Sequence, residues 1–273
     1  VMYKLIATDL DGTLVTDDKN LTDRTIENVK KALKKNVKIM ISSARAFYRL
    51  ERYIDELDLR RENQYTICFN GAMIVENITG EVLYSKNLDK QEVNELISLG
   101  KQLNVPIMLY SKNAHCAEEI PEVIQKNKNS KGLNLKIENF NKLDFDKEEN
   151  YIYKIVFMDK PERIIEIRNN LSKEIINQYE VTSSIPEYIE FVKKGIKKSE
   201  AIKFIMNKCK IEQEEVIAIG DGENDIEMLR FAGLGVAMGN ADNYVKENAD
   251  YITTSNNDDG VGNVIEKFIL NDR

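Results

Sequence analysis

A chain of 273 residues with 42% apolar side chains is long enough for one large domain or two smaller ones around a real core. Its 39 basic and 46 acidic residues are interspersed and sum to −7, which argues against a face built for a phosphate backbone and against nucleic acid as a partner. No apolar run reaches membrane-spanning length and no secretory leader is visible, so no membrane partner is expected and the cytoplasm is the expected location.

The first element is Lys4 to Leu14, KLIATDLDGTL. Leu5-Ile6-Ala7 opens an apolar run that turns abruptly polar at Asp9-Leu10-Asp11-Gly12-Thr13, as a buried strand of an α/β sheet does at its carboxyl end. Strand alternation aims Asp9 and Asp11 to one side. Two carboxylates so close repel each other unless a cation neutralises them, and Mg²⁺ suits a few carboxylates plus phosphate oxygens. A hairpin turn at Asp11-Gly12 is the alternative, but no second alternating strand follows it.

The spacing next predicts a helix from Thr22, as cap, to about Lys35, with Ile26, Val29 and Leu33 on one stripe. Val37 to Ile41 is a second apolar run, ending in Ser42-Ser43-Ala44-Arg45. A helix is expected over Phe47 to Leu57. Thr66 to Phe69 is a third run, ending in Asn70-Gly71-Ala72. Three strands with polar ends, separated by helices, predict parallel βαβ winding. From Met73 the rhythm changes to a hairpin turning at Thr79-Gly80. A helix over Lys90 to Leu103, a polar patch over Lys126 to Lys136, a strand over Ile152 to Met158, a helix over Pro161 to Ser172 and a strand over Tyr188 to Val192 follow. Residues 82–189 are expected to form a second, α+β domain inserted into a core of 1–81 and 190–273; one continuous sheet is the alternative.

Winding resumes near Lys197, with a helix over Glu200 to Lys208. Glu215 to Ile219 is a fourth parallel-type strand, ending in Gly220-Asp221-Gly222-Glu223-Asn224-Asp225 before a helix carrying Ile226, Met228 and Leu229. Gly233 to Met238 and Tyr251 to Thr254 are two more strands. Cys68, Cys116 and Cys209 are scattered and odd in number, which argues against a disulfide framework or a zinc cluster. His115, the only histidine, reads as a surface or incidental residue, so acid–base chemistry falls to carboxylates.

If the runs are parallel neighbours, Asp9, Asp11, Asp221 and Asp225 converge on one crevice with Ser43 and Asn70. About four negative charges there cannot seat a phosphate dianion without cations. A divalent ion is one; a lysine from Lys193-Lys194-Gly195-Ile196-Lys197-Lys198 is the other, with Lys197 and Lys198 both open on this reading.

These motifs resemble the haloacid dehalogenase-like (HAD) superfamily, and within it the Cof-like, type IIB sugar-phosphatase branch. DLDGT at Asp9 to Thr13 resembles the nucleophile motif, and Ser43-Ala44-Arg45 the Thr/Ser-Gly-Arg motif. Gly195 to Ser199 resembles the lysine motif, selecting Lys198, and GDGENDIEM at Gly220 to Met228 the acidic metal motif. The match covers the core, 1 to about 80 and 190 to 273. Ser43, Ala44, Ala46 and Ser199 depart from the commoner threonine, glycine, proline and glycine; a serine hydroxyl still donates to phosphate.

The resemblance implies a Rossmann-like α/β core with an inserted type C2 cap that selects the leaving group. It implies a Mg²⁺-dependent phosphatase of small phosphorylated metabolites, sugar phosphates foremost, as a monomer or weak homodimer. Asp9 is then the nucleophile and Asp11 the general acid and base. Leu10, Gly12, Ser43, Ala44, Lys198 and Asn224 bind phosphate or substrate. Asp9, Asp11, Asp221 and Asp225 serve the metal, while Arg45 either touches ligand or supports the site. A phosphotransferase such as a hexose phosphomutase, on the same intermediate, is the second reading; a non-catalytic binding protein is the third. A nucleotide-binding dehydrogenase is set aside because no G-x-G-x-x-G follows the first strand.

Overall fold

The computed structural model describes residues 2–126 and 132–271. In chain order the strands are β1 (Leu5–Thr8), β2 (Lys38–Ser42), β3 (Tyr65–Cys68), β4 (Met73–Glu76), β5 (Val82–Ser85), β6 (Ile107–Ser111), β7 (His115–Ala117), β8 (Leu135–Ile137), β9 (Ile152–Met158), β10 (Tyr179–Thr182), β11 (Tyr188–Lys193), β12 (Val216–Gly220), β13 (Leu234–Ala237) and β14 (Tyr251–Ile252). They form two sheets, and the chain divides into two compact units.

The first unit spans 1–44, 50–84 and 197–273. Its sheet runs β14-β13-β12-β1-β2-β3-β4-β5, parallel from β14 to β3 and antiparallel from β3 to β4. Leu5, Ile6, Ile217, Ala218 and Ile219 have no solvent exposure, because helices cover both faces and leave the central strands no wet side. Helix α1 (Asp23–Lys34) is capped by Thr22, whose hydroxyl accepts from the amide of Thr25. The helix Lys198–Cys209 packs Ala201, Ile202 and Ile205 against Leu5, Met40 and Ile67. Each buried isoleucine, leucine or methionine among them contributes about 1.5–3 kcal/mol. From β1 the chain winds outward to β2 and β3 on one side, and to β12 and β13 on the other only much later. The strand order therefore reverses between β1 and β12, which is where open α/β sheets bind ligands.

The helix expected over 47–57 is broken. Phe47–Arg49 is a 3₁₀ turn and Glu51–Glu56 a separate α-helix, joined at Leu50 with φ −107°. The 3₁₀ turn groups with the second unit. A C-terminal helical stretch, Gly260–Ile265 continuing as a π-turn over Glu266–Leu270, lies beyond the expected elements.

The second unit comprises 45–49 and 85–196, with a sheet ordered β10-β11-β9-β6-β7-β8. Strand β11 pairs antiparallel with β9 and β10, so residues 190–196 group here and not with the first unit, as the expected boundary at 189 had it. Helices Lys90–Gln102 and Pro161–Asn169 press Val93, Leu96, Ile164 and Ile167 onto Leu109, Ile155, Phe157 and Phe191. An Asp89–Glu92 capping box starts the first of them.

The sheet's buried polar residues include Lys154 and Glu190, ion-paired at 3.1 Å and both under 4% exposed. His115 is also buried here, which corrects the expectation of a surface histidine. Its ring lies 4.0 Å from that of Tyr110 and 6.0 Å from that of Tyr48, and burial pushes its pKa down to about 3. The polar patch expected over 126–136 falls partly outside the described residues, at 127–131.

Candidate active site

The site sits at the carboxyl ends of β1 and β12, within the first unit. The amide of Asp9 donates to the carbonyl of Ile219 at 2.9 Å, extending the ladder one residue past β1. Then the chain turns: the carbonyl of Leu10 accepts from the amides of Thr13, Leu14 and Val15. Gly12 makes that turn with φ +77°, and a Cβ there would stand 2.3 Å from Oδ2 of Asp221. Any other residue would strain the backbone and collide with a carboxylate. Thr13 Oγ1 donates to Asp221 Oδ1 at 2.8 Å, tying the two loops together.

On the β12 side, Oδ2 of Asp225 accepts from the amides of Asp221 and Gly222 at 3.0 and 2.9 Å. Its Oδ1 takes Lys198 Nζ at 2.6 Å, and the same ammonium reaches Asp9 Oδ1 at 2.6 Å. Lys198 opens its helix and is buried at 1% exposure; Lys197 is half-exposed and lies 3.5 Å from Glu227. Of the two lysines left open, Lys198 is the one whose ammonium reaches these carboxylates. Carboxylate oxygens of Asp9, Asp221 and Asp225 lie within 4.8 Å of one another.

Asp11 is not part of that trio. The strand ends at Thr8, so alternation does not carry both aspartates to one side. Asp11 sits in the turn, 38% exposed, with its Oδ1 2.9 Å from Lys19 Nζ. Ser43 is buried just beyond β2; its amide donates to Ile67 and its carbonyl accepts from Asn70. Ala44 follows, half-buried, while Arg45 groups with the second unit. Asn224 Nδ2 donates to Asn70 Oδ1 at 3.1 Å, linking the β12 and β3 ends. Thr13 and Lys19 were not singled out from the sequence; Thr13 sits inside the aspartate motif, whereas Lys19 lies in a loop with no periodicity to mark it.

Three carboxylates and one ammonium leave the pocket short of positive charge. Burial, then Asp225, push the Asp221 carboxyl up to about 7, against the Thr13 hydroxyl and Lys198. Burial raises Asp9 well above the carboxylate range, with Lys198 opposing and Asp225 and Asp221 adding. Burial works against the Lys198 ammonium, but Asp225 and Asp9 outweigh it and hold its pKa above the ordinary lysine value. An all-oxygen donor set that resists ionisation without a cation fits a hard divalent ion.

A family model described as haloacid dehalogenase-like hydrolase matches residues 6–265. The chain is 33% identical over 271 residues to the putative phosphatase YxeH of Bacillus subtilis, covering 98% of this chain and 99% of the relative. It is likewise 33% identical over 270 residues to the 5-amino-6-(5-phospho-D-ribitylamino)uracil phosphatase YcsE of the same organism, covering 99% and 97%. The solved structure of the HAD subclass IIB sugar phosphatase BT4131 superposes with a TM-score of 0.80 at 26% identity, covering 97% of this chain and 98% of that one. With its strand-end aspartates and buried lysine in one crevice, the chain belongs to the haloacid dehalogenase-like hydrolase family.

Proposed function

We propose that the chain is a Mg²⁺-dependent phosphatase of small phosphorylated metabolites, with phosphorylated sugars and polyols as the substrate class, acting through an aspartyl-phosphate on Asp9. The observation that carries this reading is Lys198, buried and bonded to both Asp9 and Asp225 at 2.6 Å, beside Asp221. A fixed ammonium among carboxylates is a seat for a phosphoryl group once a dication balances the remaining charge. BT4131 is named a sugar phosphatase and YcsE acts on a phosphoribityl compound; both names describe a phosphate on a polyhydroxylated carbon chain. No helix among the described residues is long and apolar enough to cross a membrane.

In the first step the Asp9 carboxylate attacks phosphorus. A phosphorus–oxygen bond to Asp9 forms as the ester bond breaks, and Asp11 gives its proton to the departing alcohol. In the second step Asp11 takes a proton from water, water attacks phosphorus, and the Asp9 carboxylate is released. Lys198, the Ser43 hydroxyl and the amides of Leu10, Gly12 and Ala44 hold the phosphoryl oxygens, with Asn224 at the substrate's edge. Asp9, Asp221 and the carbonyl of Asp11 would hold the divalent ion, with Asp225 behind them; bound there, it supplies charge neutralisation in the transition state. Asp225 fixes Lys198 and the 221–222 amides at once. The second unit takes the part of the cap, excluding water and selecting the leaving group.

The test is a panel of phosphorylated metabolites assayed for phosphate release with Mg²⁺, with and without chelator, alongside Asp9→Asn. Release that needs the cation and vanishes in D9N supports the reading. Turnover surviving D9N would overturn the nucleophile assignment.

A further inference from the structure

Lys19 stands in the loop after β1 with φ +62°. Several other described residues in this left-handed region are asparagine or aspartate, namely Asn36, Asp58, Asn63 and Asn104, whose short polar side chains adopt it readily. Longer side chains adopt it less often, though Lys210 does so at the end of its helix (φ +55°), and in this loop hydrogen bonds hold Lys19 there. Its amide donates to the carbonyl of Thr16 at 2.8 Å. Its carbonyl accepts from Arg52 Nη2 at 2.7 Å and from the Tyr53 hydroxyl at 3.1 Å, both on the helix Glu51–Glu56. Asp17, two residues earlier, accepts from Asn256 and Asn257. The loop is pinned on two sides, and the product of this pinning is one ammonium placed 2.9 Å from Asp11 Oδ1. Stability does not account for the arrangement, because a pair this exposed, at 24% and 38%, contributes little. The hydrogen bonds of the loop sustain its backbone conformation; what they do not explain is the placement of the ammonium at the Asp11 carboxyl.

We propose that Lys19 is a positioning residue for proton transfer: it grips the Asp11 carboxyl by Oδ1 and fixes the direction in which Asp11 delivers its proton to the leaving oxygen. This rests on the reading of Asp11 as proton donor. When the ester bond breaks, its electron pair stays on the alcohol oxygen, which takes the Asp11 proton. An alkoxide needs that proton; p-nitrophenolate is stable without it. A misdirected Asp11 therefore harms the first step of alkyl esters selectively; its part in the second step is the same for both esters, so the comparison is made on kcat/KM, which extends only as far as phosphoryl transfer to Asp9.

The experiment compares wild type, Lys19→Met, Lys19→Arg and Asp11→Asn on a hexose 6-phosphate and on p-nitrophenyl phosphate, measuring kcat and KM separately. Lys19→Met keeps the side-chain stem and the same backbone demand. It lowers the ratio of alkyl to aryl kcat/KM by about tenfold or more, part of the about 10²–10⁴-fold that a positioned acid supplies. The melting temperature holds, and Lys19→Arg restores most of the ratio. Equal losses of kcat/KM on both esters would overturn the proposal by making Lys19 a general site support or a substrate binder. If Asp11→Asn collapses the ratio and Lys19→Met does not, the role of Lys19 fails alone. If Asp11→Asn also leaves the ratio intact, the proton-donor reading falls and takes the proposal with it.

Discussion

The charge state of Asp221 makes a quantitative prediction. Its carboxyl sits at about 7, where an ordinary aspartate sits at 3.8. At about pH 5 that group holds its proton by roughly 100 to 1, and a cation must displace the proton before it can bind. At about pH 7 it is already half protonated, so apparent Mg²⁺ affinity is expected to fall about 50-fold between pH 7 and pH 5, a cost of about 2.3 kcal/mol at 1.36 kcal/mol per tenfold. The sign for stability follows from the same shift. The folded-state pKa is raised, so chelated protein keeps this contribution fully below the unfolded value near 3.8 and loses it as pH rises through 7. The loss amounts to as much as about 4 kcal/mol, and Asp9, raised in the same direction, adds to it.

Calorimetric titration of Mg²⁺ and thermal melting in chelator, each from about pH 5 to about pH 8, measure both slopes. In chelator the melting temperature drops across that range, and saturating Mg²⁺ removes the drop. Asp221→Asn flattens both responses and stabilises the chelated protein at the alkaline end. An affinity in the wild type that is level from pH 5 to pH 7, or an Asn variant that keeps the wild-type slope, would refute the charge-crowding argument.

Lys198→Met leaves Asp9 and Asp225 facing each other without their shared ammonium, and chemical denaturation is expected to show a loss of about 3–5 kcal/mol in chelator, part of it recovered at low pH. Phosphate release by this variant should be undetectable even where Mg²⁺ restores the fold. In the second unit, Glu190→Gln strands the buried Lys154 ammonium, and a similar loss of about 3–5 kcal/mol is expected. Replacing both partners together, as Lys154→Met with Glu190→Leu, should cost markedly less, and a denaturation double-mutant cycle separates the two outcomes.

What the sequence made legible was set by how many faces of an element are buried. Strands β1, β2 and β12 are wrapped on both sides, so they read as unbroken apolar runs whose ends are marked by the first polar residue. Asp9 and Asp221 were found that way. Asp11 was placed beside Asp9 by extending strand alternation two residues too far; the carbonyl of Leu10 had already turned the chain. The stretch 47–57 has the length of a helix, yet it is divided at Leu50 because its two halves pack into different units, and packing partners are not visible in a local pattern. His115 lies on a three-residue strand, too short to show a period, and its burial comes from Tyr48 and Tyr110, one of them some 67 positions away in the chain. Lys19 carries no periodicity at all; its placement depends on Arg52 and Tyr53.

The acidic crevice itself sets fold against chemistry. Fully ionised, Asp9, Asp221 and Asp225 against Lys198 leave a charge of about −2 in a dry pocket, which a domain of ordinary stability bears only at some cost. The backbone nevertheless closes in. A Cβ on Gly12 would strike Asp221, and one on Gly220 would stand 2.4 Å from Cβ of Asp225. Gly12 lies in the turn after β1 and Gly220 ends β12, and both let main chain approach the carboxylates where any side chain would hold it away. The crowding is therefore a consequence of the topology. Among the described residues, β1 and β12 are the parallel pair whose following connections lead to opposite edges of the sheet, and such a divergence opens a gap at the strand ends. A dication brings the trio and its lysine to neutrality in that gap, and only then does an incoming phosphoryl group meet donors without meeting net negative charge.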